Sequence, residues 1–280
     1  MVMQPSIFEQ QYKPIIVHTL NGTEFINVQS YLSGEPRNKK FNGAALQDLR
    51  WFLTKKDRYK DGRNGADKHT WDDKSGLLAF GLVGSDYFKP WLWVDITWKD
   101  LQLGFYGKGT PDRMRRILTV IDFYLKTADI NLGRVHWNYV MGLQDYAKWY
   151  LGLDCNGFTG AYLESQYPSL GINGGDHINY LDGKLKKRAG VADVRAGDIL
   201  SREGSGGTRH VSMVNSVSGM IGPGATSAQV SITQSASSLG GLNTKTYTLK
   251  MIDEGPKDKP LKWELAGYYK FHHCLAPERK

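Results

Sequence analysis

One helix-period segment followed by alternating segments does most to limit what this chain can fold into. Beyond Cys155, the apolar residues Phe158, Ala161 and Tyr162 recur at i+3, i+6 and i+7, the spacing of one helical face. Further on, Val211 and Met213 alternate with Ser212, and Val214 and Val217 follow, which places His210 at the mouth of a strand. Val230 to Ser237 alternates again and ends in polar residues, and Val194 to Leu200 reads as a turn entering a strand, with Asp198 closing the turn. The 32 glycines favour a loop-rich α+β protein over a helical bundle. At 280 residues and 40% hydrophobic content there is chain enough for a substantial core.

The residues at these junctions carry chemistry. Gly152 and Asp154 read as turn and cap, so Cys155 opens its helix. A thiol there meets the positive end of the helix dipole and unpaired backbone N–H groups, and both favour the nucleophilic thiolate. The plain alternative is a small, buried, inert cysteine. A histidine on a strand accepts the thiol proton and returns it to a leaving amine. A polar residue on the next strand holds the other ring nitrogen and sets the tautomer. The polar residues that end the 230–237 segment are candidates for that third place. Asn215 competes, but it lies five positions beyond His210 on the same strand and shares its face only after a bulge.

The order Asp154-Cys155-Asn156-Gly157-Phe158, then Ala196-Gly197-Asp198-Ile199, then Arg209-His210-Val211-Ser212-Met213-Val214, then a strand ending in polar residues, resembles the NlpC-type cysteine peptidases. These are papain-like enzymes that cut peptide bonds in bacterial peptidoglycan, and the related CHAP amidases share the Cys-then-His order. The resemblance covers roughly residues 140 to 250. Asn156 stands where that family usually has serine. The Tyr-x-Trp-Gly-Gly run usual upstream is only echoed, by Tyr146, Trp149 and Tyr150. The stretch from Ser218 to Gly224 lengthens the gap between His210 and Gln234.

What the resemblance implies is specific. Cys155 matches the nucleophile, His210 the base and Gln234 the orienting residue. Asp154, Asn156, Trp149 and His177 are the expected substrate-groove residues. On local grounds alone, Asp154 is a helix cap and His177 a histidine of a Gly-rich surface loop. The expected fold is α+β, with a papain-like NlpC-type core over 131–280, its nucleophile helix packed on an antiparallel sheet. Residues 1–130 form an N-terminal α/β elaboration or accessory region. The expected activity is cysteine-dependent hydrolysis of peptidoglycan stem-peptide bonds, by a secreted antibacterial effector or a lytic enzyme, with no metal and no organic cofactor. Two alternatives stand beside it: a deamidase or transglutaminase-like toxin acting on a protein side chain, and an inactive module that binds wall polymer or an anionic partner.

Two cysteines do not make a disulfide framework. His272, His273 and Cys274 are adjacent rather than spaced as metal ligands. No basic n-region with an apolar h-region opens the chain, and no run approaches the ~20 apolar residues of a membrane span. The expectation is a protein made in the bacterial cytoplasm and exported by a non-classical route to periplasm or target cell, with an immunity or secretion protein as partner. Net charge is +8, with basic clusters at 37–40, 55–63, 113–116 and 184–188. Such a surface attracts polyanions, but zinc-finger spacing, an RNA-recognition signature and a long basic helix are all absent, so no nucleic-acid partner is expected.

The first 130 residues hold shorter signals. Ile15 to Val17 and Glu24 to Val28 read as strands around a turn at 20–22, and Ala44 to Thr54 as a helix. Lys55 to Asp73, charged and Gly-rich, reads as a loop or a mobile excursion. Leu77 to Val83 and Trp91 to Trp98 are strand-sized apolar runs. Thr110 caps and Pro111 opens the clearest helix, with Met114, Ile117, Leu118, Ile121, Tyr124 and Leu125 as its apolar stripe and a break at 129–133.

Overall fold

A computed structural model describes residues 2–19, 22–28, 30, 46, 49, 68–72, 77–81, 94–131, 142–176, 178–202, 210–219, 224–254, 257 and 260–280. The chain gathers into two compact units. One comprises Met1–Gln11, Gln29–Tyr31 and Leu153–Lys280; the other comprises Tyr12–Val28 and Leu32–Gly152. The division expected after residue 130 falls inside the second of these. Residues 131–152 cluster with the N-terminal half and residues 1–11 with the C-terminal half.

The larger unit carries an eight-stranded sheet, antiparallel at every pairing, beside a few helices, so the fold is α+β. Its helices are α1 (Pro5–Gln10), α5 (Cys155–Gln166) and α6 (Ile178–Lys184); α2 to α4 belong to the other unit. Its strands are β6 (Leu185–Lys187), β7 (Ile199–Arg202), β8 (His210–Ser218), β9 (Ser227–Ala236), β10 (Gly241–Glu254), β11 (Leu261–Leu265), β12 (Tyr269–Phe271) and β13 (His273–Arg279). The order across the sheet is β12-β11-β10-β9-β8-β7-β13-β6. Strand alternation divides the side chains between two faces. Val214, Val230, Ile232, Leu249, Trp263 and Phe271 join one apolar cluster with Leu200 and Cys274. Other side chains reach α1 and α5. The Asn215 Oδ1 accepts the Ser6 N–H at 2.9 Å, and Thr233 and Thr244 hydroxyls, 2.8 Å apart, lead to the Glu9 carboxylate. Phe8 of α1 packs on Phe158 and Tyr162 of α5, with ring centroids 5.9 and 5.5 Å apart.

The other unit begins with a hairpin of β1 (Ile15–Thr19) and β2 (Gly22–Ile26), paired as the sequence pattern predicts. Ile15, Val17 and Ile26 turn into its core. A three-stranded antiparallel sheet follows: β3 (Lys68–Asp72), β4 (Leu77–Gly81) and β5 (Val94–Thr97). Residues 68–72 were expected in a loop. They are a strand because each pairs with a residue of apolar β4, and sheet context outweighs local charge. Then come α2 (Trp98–Phe105), α3 (Pro111–Asn131) and α4 (Leu143–Tyr150). Thr97 and Asp100 form a reciprocal capping box at α2. The Thr110 hydroxyl accepts the Arg113 N–H at 3.2 Å, capping α3 as expected, and Met114, Ile117, Leu118 and Ile121 are buried. Of the helix expected over 44–54, Leu46 and Leu49 are helical and buried, and the rest lies outside the described residues. Among the described residues no helix is long and apolar enough to cross a membrane.

Candidate active site

The start of α5 is held from several sides. Asp154 is extended, and its carboxylate accepts the Gly157 N–H, so it caps the helix that Cys155 opens. The preceding residue, Leu153, donates its N–H to the Ser30 carbonyl at 3.0 Å and accepts from the Ser235 hydroxyl at 2.6 Å. Asn156 donates its amide to the Asp176 carbonyl, which draws the 171–176 loop against the helix. Gly160 permits that approach. A Cβ built there would lie 2.6 Å from both the Asn173 carbonyl oxygen and the Gly174 Cα. Phe158, Ala161 and Tyr162, the predicted helical face, are fully buried. Cys155 itself is 8% exposed, within reach of a small reagent but almost enclosed.

His210 opens β8, as the sequence predicts, and Gln234 lies near the end of the neighbouring β9. Met213 pairs with Thr233 across the two strands. One step along, the polar side chains form a triangle. His210 Nε2 lies 2.8 Å from Gln234 Oε1, Ser212 Oγ lies 3.1 Å from His210 Nε2, and the Ser212 hydroxyl donates to Gln234 Oε1 at 2.6 Å. All three residues are buried. Period-2 alternation puts His210 and Ser212 on the face of Val214, and Gln234 on the face of Ile232 and Val230, so the triangle ends the apolar cluster. Burial pushes the His210 imidazole below its ordinary value, and the bond to Gln234 pulls the other way. With Gln234 Oε1 as acceptor, the proton sits on Nε2 and Nδ1 keeps its lone pair.

Aromatic side chains surround this histidine, and the sequence reading did not single them out. Tyr269 and Tyr268 stand edge-on to the His210 ring at 5.0 and 6.3 Å, and Phe271 lies at 6.2 Å. Tyr247 stacks on Tyr268 at 5.2 Å and lies 3.5 Å from the Gln234 amide nitrogen. Tyr268 also feels Cys155. Burial first, and then neighbouring groups that include Tyr247, Tyr269 and Cys155, push its phenol up, while a hydrogen bond with Ser238 works against them. The available signal was the density of rings at Tyr268, Tyr269 and Phe271 directly before His272. Ser212 had its own signal, two residues after His210 on one strand face.

The remaining candidates have other employment. Asn215 is the extra residue of a bulge in β8, and its side chain serves the Ser6 N–H, whereas Gln234 Oε1 lies beside His210 Nε2. Asp198 closes the turn before β7 by accepting the Arg195 N–H at 2.8 Å, and Arg188 clamps it with two bonds of 2.8 and 2.9 Å. Trp149 lies on α4 in the other unit and is 64% exposed. His177 and Arg209 lie outside the described residues. The His272 ring contacts the Pro260 carbonyl at 3.2 Å, and His273 contacts the Lys187 ammonium at 3.2 Å. Among the described residues no group of three or more His, Cys, Asp or Glu side chains is placed to hold a metal ion.

No family model, curated protein or solved structure matches this chain.

Proposed function

We propose that this chain is a cysteine-dependent amide hydrolase with a papain-like core. The observation that carries the reading is the buried bond from His210 Nε2 to Gln234 Oε1. It leaves Nδ1 as the nitrogen that takes a proton from the thiol. The cap at Asp154 supports the same reading, because it fixes Cys155 at the first helical position. The backbone N–H of Cys155 lies in the first turn, where intrahelical acceptors are lacking, so it suits a developing oxyanion.

The chemistry follows from these positions. Cys155 Sγ gives its proton to His210 Nδ1 and attacks the amide carbonyl carbon, forming the C–S bond. The carbonyl π electrons move to oxygen, which the helix-start N–H groups meet. On collapse the C–N bond breaks, and the imidazolium gives its proton to the departing amine. A thioester remains. Water then attacks it and His210 accepts the water's proton; as the C–S bond breaks, the imidazolium returns that proton to Sγ, which releases a carboxylic acid and restores the thiol and the neutral ring. Gln234 holds the ring through each transfer, accepting from Nε2–H in both the neutral and the charged imidazole.

Peptidoglycan stem peptide is the proposed substrate, on the sequence resemblance to NlpC-type enzymes. The test is digestion of purified peptidoglycan, with released muropeptides read by mass spectrometry, for wild type, Cys155→Ala and His210→Ala. New peptide ends from wild type alone establish a wall amidase, and their masses name the bond. No release from wild type, with Cys155 still rapidly alkylated, moves the substrate to a protein side chain. No release with an inert Cys155 leaves a binding module.

A further inference from the structure

A histidine held by one glutamine has an ambiguity that the triangle at His210 resolves. A glutamine amide offers an oxygen from one position and an NH2 group from the position related by a half-turn. Facing an imidazole nitrogen alone, either end is satisfied. The oxygen accepts from Nε2–H, or the NH2 group donates to Nε2 while the ring proton moves to Nδ1. The second arrangement is useless for the chemistry proposed above, because it fills the nitrogen that must take the thiol proton.

Ser212 makes the two arrangements unequal. With oxygen inward, the Ser212 hydroxyl donates to Gln234 Oε1 at 2.6 Å and Nε2–H donates to the same oxygen at 2.8 Å. Two donors meet two lone pairs. With nitrogen inward, three donors, the two amide N–H groups and the Ser212 O–H, meet two acceptors, the Nε2 lone pair and Ser212 Oγ, and one buried donor is left over. Ser212 is 0% exposed, so no bulk water takes up that proton. An unmet buried donor destabilises the arrangement that leaves it. The outer end of the amide fits the same choice, since Tyr247 Oη lies 3.5 Å from Gln234 Nε2 and can accept.

We propose that Ser212 is a positioning residue. By donating to Gln234 Oε1 it fixes the amide with oxygen toward His210, and so fixes the ring as the Nε2–H tautomer, in which Nδ1 keeps its lone pair. This role rests on the cysteine-hydrolase reading for its use, but not for its geometry. It makes the orienting unit a Gln–Ser pair.

The test reads the tautomer directly. Imidazole 15N shifts of the full-length protein are recorded at a pH where His210 is neutral, in wild type, Ser212→Ala, Gln234→Glu and Ser212→Ala/Gln234→Glu. Wild type is expected to show the proton on Nε2. In Ser212→Ala the amide is released, the two tautomers become about equally populated, and kcat/KM falls about twofold with the competent fraction. A carboxylate has no wrong end, so adding Ser212→Ala to Gln234→Glu is expected to leave the Nε2–H tautomer in place. A packing role for Ser212 would act alike in both backgrounds. Wild type protonated at Nδ1, or an unchanged tautomer in Ser212→Ala, overturns the proposal, and the first of these needs no variant to fold. Tautomers that respond as expected in a wild type that cleaves no amide leave Ser212 standing and remove the hydrolase reading instead.

Discussion

The Ser235 hydroxyl donates to the Leu153 carbonyl at 2.6 Å, and through that one bond β9, which carries Gln234, is tied to the residue two before Cys155. Leu153 and Ser235 are both 0% exposed. Removing the donor leaves a buried carbonyl one partner short, at a cost of about 1–3 kcal/mol. Ser235→Ala is expected to lower the unfolding free energy by that amount, read as a lower urea midpoint with an unchanged slope, and to slow Cys155 alkylation by loosening the start of α5. A midpoint equal to wild type would mean that the tie carries no weight.

Gly160 predicts a second cost. Its Cβ position is occupied by backbone, at 2.6 Å from the Asn173 oxygen and the Gly174 Cα, and backbone gives way less readily than a flexible side chain. Gly160→Ala must push the 171–176 loop off α5 and break the bond from Asn156 to the Asp176 carbonyl. The expected loss is roughly 1–3 kcal/mol. Gly183 in α6 is the control, because a Cβ there meets nothing within 4 Å. In a helix, Ala in place of Gly gains about 0.5–1 kcal/mol. Opposite signs for the two variants in one denaturation series are the predicted result, and equal shifts would refute the close approach.

How much of this was legible in the sequence depends on the range of the interaction. Asp154, Cys155 and the face formed by Phe158, Ala161 and Tyr162 are local, and capping and period placed them correctly. The hairpin of β1 and β2 and the helix after Thr110 were legible for the same reason. Residues 68–72 were misread because their strand depends on pairing with β4, which local charge does not report. That Asn215 meets the Ser6 N–H while Gln234 sits beside His210 was not legible, because the bulge at Asn215 is a property of two strands together. The tyrosines around His210 arrive from β10, from β12 and from the turn before β12, so no window of sequence held them beside it.

His210 predicts a pH dependence of stability. Burial lowers its folded-state value below the ordinary 6.5. Between those two values the unfolded chain binds more protons than the folded one, so stability rises with pH across that window. Read downward, stability starts to fall as pH drops through about 6.5 and levels off once the folded imidazole is itself protonated. The stability difference between wild type and His210→Gln isolates this contribution. It is expected to grow from pH 5 to pH 7 and to stay flat above. A difference that grows toward acid would mean that the folded state favours the imidazolium.

The two cysteines predict a labelling pattern. Neither is disulfide-bonded. Cys274 is 0% exposed on β13, paired with Leu200 of β7 in the middle of the apolar cluster. Burial pushes its thiol well up, and Asp198 adds to that while Arg188 opposes it. Alkylation of Cys274 therefore has to pass through opening of the sheet, which for a domain of ordinary stability makes it at least about a thousandfold slower than in denaturant. Cys155, at the start of its helix, keeps 8% exposure and is expected to react without opening of the sheet. Native protein treated with iodoacetamide is expected to gain one adduct, mapped by peptide mass to Cys155, and Cys155→Ala to gain none. In denaturant the wild type gains two. Equal native labelling of both thiols would place Cys274 outside the core. A native protein that takes no label would close off Cys155 and with it the nucleophile on which the hydrolase depends.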